Sequence, residues 1–258
     1  MRDAVILQIH STGTSTGLWA TYTADPLPAA GRLRPALLGY PPGPALTRGA
    51  VVRAADDARH LLAELPVDGA VHVVAHSYGA SVGLELVPLL GDRLASLFLY
   101  EPVLFGALAR DEGSEPAAVA EARAFAEHPW FLVDDARGGG DEWLAHFIDY
   151  WNRPGSWQRM PAAAQAATRA LGWKMYQEVR SCFFDVQAFG ERPLARVPST
   201  IVTGERSTAG ARAMARAVVR ESPWARLVEL PGLGHMGPLT HPGPVHAAMN
   251  EHLARALA

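Results

Sequence analysis

The segment Val71–Leu90 limits the fold of this chain more tightly than any other stretch. Val71 to Ala75 is an apolar run of the length of a buried strand, and Ala80 to Leu90 reads as a helix ended by Gly91. His76, Ser77, Tyr78 and Gly79 are all that joins them, so the chain must turn sharply. A strand and a helix that meet this closely need small residues at the turn, and Ala75 and Gly79 provide them. The pattern is G-x-S-x-G with Ala75 in the first position. Such a turn strains the backbone of Ser77 and lifts its Oγ above the sheet edge. The helix that starts there aims its first N–H groups at the same point, which favours a developing negative charge.

The same strand-then-helix alternation recurs on both sides of this segment. Ala4 to Ile9, Leu94 to Tyr100, Ser199 to Thr203 and Arg226 to Leu230 read as strands. Helical spacing covers 50–65, about 209–219 and about 244–256. Residues 36–46 are too rich in Pro and Gly for a helix interior. The expectation is an α/β fold, a mostly parallel sheet flanked by helices. The alternation breaks between about 103 and 190, where helical patterns appear without a convincing strand. That stretch holds Trp130, Trp143, Trp151, Trp157 and Trp173, five of the seven Trp, and seven of the eight Phe. It reads as an inserted helical cap over 104–190, with the core formed by 1–103 and 191–258.

Composition narrows the function. The chain has 258 residues, a net charge of −3 and 19% charged residues, enough for one large core and not for a charge-rich disordered chain. Arg is scattered and Lys occurs once, at Lys174, so no basic track for nucleic acid is present. No apolar run reaches the roughly 18 residues of a membrane span, and the start of the chain lacks the pattern of a signal peptide. The single cysteine, Cys182, reads as a small buried apolar residue and fits a reducing, cytoplasmic setting. No metal or cofactor is expected.

Serine is a weak nucleophile until a base takes its proton. Among ten histidines, His235 stands in the loop Leu230-Pro231-Gly232-Leu233-Gly234-His235-Met236 after the last strand. From there it can reach over the sheet edge where open α/β sheets bind ligands. His241 is a nearby rival. His246 and His252 fall on the terminal helix, and His60 and His128 read as surface or packing residues.

His10-Ser11-Thr12-Gly13, Ala75-His76-Ser77-Tyr78-Gly79, Leu99-Tyr100-Glu101-Pro102, Gly204-Glu205-Arg206-Ser207 and Gly234-His235-Met236 together resemble the α/β-hydrolase superfamily. Asp149-Tyr150-Trp151-Asn152 is similar to cap segments of some bacterial members. The resemblance implies Ser77 as nucleophile and His235 as base. It implies an oxyanion hole from the amides of Thr12, or its neighbour Ser11, and Tyr78, with His10 bracing the loop. The family's usual acid, an Asp after the 199–203 strand, is replaced by Ser207. Glu101 matches the alternative acid position used by members resembling dehalogenases, while Glu205 and a triad without an acid remain open. The family core usually begins with two further strands, so a sheet of about six strands lacking the N-terminal hairpin is expected. Its uncovered edge makes a homodimer an expectation.

These features lead to the hydrolysis of a small, apolar ester, thioester or lactone through an acyl-serine. C–C hydrolysis, acyl transfer or lyase chemistry on the same residues is the alternative, and a non-catalytic ligand-binding protein on the same scaffold is another. An aspartate in place of Ser77 would have indicated dehalogenase or epoxide hydrolase chemistry. Candidate substrate contacts are His10, Ser11, His76, Trp143, Tyr150 and Met236.

Overall fold

The computed structural model describes residues 4–192 and 196–257. Six strands form one sheet: β1 (Val5–Ile9), β2 (Gly31–Leu33), β3 (Val71–His76), β4 (Leu94–Tyr100), β5 (Ser199–Gly204) and β6 (Ala225–Leu230). Their order is β2-β1-β3-β4-β5-β6, and every neighbouring pair is parallel. Parallel pairing places every strand's C-terminal end at one edge. His10, Ser77 and Glu101 directly follow strands that lie side by side there.

Only β2 had no counterpart in the sequence pattern. It is three residues long and none of them is buried. Its register comes from pairing with β1, Val5 opposite Gly31, rather than from hydrophobic alternation.

The central strands are apolar on both faces because helices cover both. Val71, Val73, Ala75, Leu97, Leu99 and Ile201 face one cluster with helices α1 (Ala54–Glu64), α2 (Tyr78–Leu90) and α9 (Ala209–Arg220). Ile6, Val74, Phe98, Tyr100 and Val202 face the other, against Val245, Met249 and Leu253 of α11 (Pro242–Ala256). The alternation of Val73 and Val74 between clusters is the period of two of a strand.

Among the described residues between β4 and β5 lie the helices α3 (Phe105–Leu108), α4 (Pro116–Phe125), α5 (Pro129–Val133), α6 (Asp141–Trp151), α7 (Ser156–Arg159) and α8 (Ala162–Phe184). A short α10 (Gly237–Thr240) follows β6. The buried rings of this insertion join the α1–α2–α9 cluster rather than forming a separate core. Phe125 stacks on Tyr150 with centroids 3.7 Å apart, and Phe131 on Trp143 at 5.5 Å. Such aromatic pairs add to area burial. Among the described residues no helix is long and apolar enough to cross a membrane.

Candidate active site

Ser77 sits between β3 and α2 with φ 58° and ψ −124°. Among the described residues, Ser77 and Glu101 (φ 48°) are the two non-glycine residues with positive φ. Such backbone costs about 1–3 kcal/mol each and persists only where the surroundings enforce it. Here the Ser77 amide donates to the Tyr100 carbonyl at 2.9 Å, and the Glu101 amide donates to the Val202 carbonyl at 2.9 Å. Gly79 lets α2 approach β1, since a Cβ there would lie 2.2 Å from the His10 carbonyl oxygen.

His235 bridges the two strained residues. Its Nδ1 lies 2.6 Å from Glu101 Oε2, and its Nε2 lies 2.9 Å from Ser77 Oγ. An ionised carboxylate only accepts, so Nδ1 carries the proton and the Nε2 lone pair faces the hydroxyl, which donates. Glu101 is fully buried. Burial alone would raise its carboxyl pKa, but the bond and charge of His235 and donors at Ser207 and Gly204 outweigh it and hold the value below 4.5. The other oxygen, Oε1, accepts from Thr203 Oγ1 at 2.7 Å, the Gly204 amide at 2.8 Å and Ser207 Oγ at 2.5 Å. Glu205 is exposed and accepts from the Gly232 amide at 2.7 Å, away from His235.

The loop after β1 has its amides sorted. Ser11 N–H donates to Thr14 Oγ1 at 3.0 Å and Gly13 N–H to the Tyr40 hydroxyl at 2.8 Å. The Thr12 amide between them makes no hydrogen bond within the described residues, and neither does the Tyr78 amide at the start of α2. Thr12, Ser77 and Tyr78 line the same small cavity. This separates Thr12 from Ser11, whose N–H is already committed.

Three of the expected substrate contacts are corrected. His76 is fully buried, and its Nε2 donates to the His235 carbonyl at 2.8 Å. Burial first, then the nearby His235, pushes its pKa well below 6.5, so it is a neutral brace under His235. His10 is likewise buried, with its pKa lowered to about 4 chiefly by burial. Its Nδ1 donates to the Ser11 carbonyl at 3.1 Å and its Nε2 accepts from the Leu37 amide at 3.2 Å. Trp143 is a core residue: it is fully buried and its Nε1 donates to the Phe131 carbonyl at 2.9 Å. Ser11 and Met236 do line the cleft beside Ser77. Tyr150 lines a neighbouring hollow beyond His235, with its hydroxyl on Glu121 at 3.0 Å.

The sequence reading passed over Trp151 as a site residue. Its ring stacks on His235 with centroids 3.8 Å apart and 23° between planes. The available signal was its spacing of four from Phe147 on α6, which puts both rings on one helix face. Two hollows meet at Ser77. One, of about 10 Å³, is lined by Thr12, Tyr78, Phe105, Phe125 and Val179 and does not touch His235. The other, of about 230 Å³, is lined by His235, Met236, Ile148, Met160 and Met175, and no Asp, Glu, Lys or Arg lines it. A hollow of about 380 Å³ lies apart, between α1 and α8; its lining includes Arg53, Glu85, Arg180 and Asp185, whose opposite charges balance. Among the described residues no group of three or more His, Cys, Asp or Glu is placed to hold a metal ion.

A six-stranded parallel sheet with a serine turn after one central strand and a histidine loop after the last defines an α/β hydrolase fold. The chain belongs to the alpha/beta hydrolase family, whose model matches residues 6–248. Similar solved structures include a thermophilic esterase from Thermogutta terrifontis with malate bound, at 18% identity over 100% of this chain and 93% of that one, with a TM-score of 0.64. A hydrolase from Pseudomonas aeruginosa PA01 is 17% identical over 97% of this chain and 90% of its own, with a TM-score of 0.67. A provisionally assigned epoxide hydrolase from Pseudomonas aeruginosa is 18% identical over 100% and 90%, with a TM-score of 0.70. At these identities the likeness is one of fold. No match is found among curated proteins.

Proposed function

We propose that this hydrolase cleaves small, uncharged esters, thioesters or lactones through an acyl-Ser77 intermediate. The observation that carries the reading is His235 held between Glu101 at 2.6 Å and Ser77 at 2.9 Å. Ser77 Oγ attacks the carbonyl carbon as His235 Nε2 takes its proton. The carbonyl oxygen becomes an oxyanion facing the Thr12 and Tyr78 amides. His235 then passes the proton to the leaving group as the bond to it breaks. Water repeats the sequence on the acyl-enzyme and releases the acid. Glu101 keeps His235 in the Nδ1–H tautomer and stabilises the imidazolium between the steps. Ser77 stands where dehalogenase and epoxide hydrolase chemistry would need an aspartate, which supports acyl chemistry instead.

The two hollows suggest how the substrate lies. A leaving group must sit by His235 to receive its proton, so it occupies the 230 Å³ cleft. The acyl group takes the apolar recess of about 10 Å³ beside the two amides. A space that size admits about one water or methyl group, which points to acetyl or similarly short acyl groups. The helical segment α3–α8 acts as the cap, since Phe147, Ile148 and Trp151 of α6 and Met175 of α8 wall the cleft.

The test is a p-nitrophenyl ester series with acyl chains of two to ten carbons. kcat/KM is expected to be highest for acetate and to fall with length. Ser77→Ala is expected to abolish turnover and labelling by a fluorophosphonate probe. Undiminished turnover in Ser77→Ala overturns the mechanism, and a preference for long chains overturns the short-acyl assignment.

A further inference from the structure

The one lysine of the chain is buried. Lys174 Nζ lies 2.5 Å from Asp57 Oδ2 and 3.4 Å from Glu178 Oε1, and both carboxylates are fully buried. Tyr78 donates its hydroxyl to Asp57 Oδ2 at 2.7 Å. Tyr40 donates its hydroxyl to Glu178 Oε2 at 3.0 Å and accepts from the Gly13 amide at 2.8 Å. The result is one connected path: Tyr78, Asp57, Lys174, Glu178, Tyr40, Gly13. It starts on the residue that carries one free amide at Ser77 and ends on the neighbour of Thr12, which carries the other.

We propose that this buried cluster positions the two oxyanion donors, so that Lys174 and Glu178 on α8 are positioning residues for the reaction. The inference rests on reading the Thr12 and Tyr78 amides as the oxyanion hole. Stability is a weak account of the cluster, because well-packed apolar side chains of similar volume are often as stable as a buried ion pair or more so. Geometry does account for it. The loop after β1 and the first turn of α2 are separate segments, and an oxyanion feels both amides only at a set separation. Asp57 also accepts from the Leu38 amide at 2.9 Å, which ties the Tyr40 segment to the same carboxylate. On the loop side, a Cβ at Gly13 would lie 2.9 Å from Met175 Cε, so α8 supports the loop by contact as well. Glu178 accepts the Tyr40 hydroxyl through Oε2 and faces Lys174 through Oε1 as an ion pair without a hydrogen bond, so it stands as a joint between the lysine and the tyrosine.

Tyr40→Phe and Lys174→Met test the proposal on p-nitrophenyl acetate, with Glu178→Gln as the closest isostere should either fail to fold. kcat is expected to fall about 10-fold or more, with KM within about twofold, since a displaced oxyanion donor weakens the transition state more than the ground state. Inhibition by a methyl trifluoromethyl ketone, which binds as an oxyanion, is expected to weaken by the same factor, with Glu178→Gln the mildest of the three. Variants that lose thermal stability but keep kcat and ketone affinity per folded molecule overturn the proposal. A Ser77→Ala control separates the two readings: if it retains turnover, the acyl-Ser77 mechanism on which the proposal rests fails; if it abolishes turnover while the cluster variants keep kcat and ketone affinity, the positioning role alone fails.

Discussion

Ser207 donates its hydroxyl to Oε1 of Glu101 at 2.5 Å, while Oε2 of the same carboxylate faces Nδ1 of His235 at 2.6 Å. The side chain after β5 is therefore a hydrogen-bond donor to the Glu101 carboxylate. Thr203 and Gly204 donate to the same oxygen. Three donors hold one oxygen and turn the other toward the imidazole.

Glu101→Gln is expected to lower kcat on p-nitrophenyl acetate by about 10³–10⁴-fold, because the amide no longer selects the Nδ1–H tautomer or balances an imidazolium. Glu205→Gln is expected to stay within about twofold, since Glu205 is exposed and bonded to the Gly232 amide. Steady-state kinetics on the pair checks the assignment. Equal, small losses would remove Glu101 from its role.

Ser207→Ala takes one donor from an ionised, buried carboxylate. The expected loss is about 1.5–3 kcal/mol of stability at pH 7, the range of hydrogen bonds to charged groups. The sign follows from Glu101, whose folded pKa is held below 4.5. Its stabilisation is present above 4.5 and is lost as pH falls through the folded value. Urea unfolding of both proteins should show the gap at pH 7 and show it closing under acid.

Trp151 stacks on His235 and also walls both hollows at Ser77. Trp151→Phe keeps a ring against the imidazole and should stay within about fivefold of the parent kcat. Trp151→Ala removes the wall between the recess and the cleft. It should shift the acyl-length optimum upward and lower thermal stability by about 3–5 kcal/mol, as for other buried Trp truncations. An unchanged chain-length profile would show that Trp151 does not bound the acyl recess.

Glu178 has its pKa raised from 4.5 to about 7, by burial first, against the opposing pull of Lys174. For a carboxyl raised on folding, stability is fully present below 4.5 and is lost as pH rises through about 7. The whole span is worth about 3 kcal/mol. Glu178→Gln should therefore flatten the fall in unfolding free energy between pH 4.5 and 7, measured by urea titration at several pH values. A parallel pH profile in both proteins would contradict this.

Much of the candidate site could be read along the chain because its signals are local. Ser77 announces itself through an apolar strand, small flanking residues and a helix within one short segment. His235 does so through a glycine-rich loop behind the last strand. The strands at β1, β3, β4 and β5 were legible because burial on both faces leaves apolar runs. The edge strand β6 buries none of its residues and was legible only through Leu227, Val228 and Leu230, whereas the three residues of β2 leave no such pattern. The roles of His10, His76 and Trp143 were not legible, since a buried histidine or tryptophan looks the same in sequence whether it packs or binds.

The sequence alone determined the sheet-and-helix order, the serine turn and the histidine loop, because each depends on residues a few positions apart. The sequence put Glu101 forward but left Glu205 open beside it, and only the tertiary structure sets one of the two carboxylates against His235. Glu101 and His235 are 134 positions apart, and only the parallel order of β3, β4, β5 and β6 brings their ends to one edge. The same holds for Asp57 and Lys174, 117 positions apart, which meet only because α8 packs over α1 and α2. Carboxylates and lysines carry no sequence mark of their partners. Their meaning comes from burial, where an unpaired charge is too costly to persist and every partner has to be supplied by the fold.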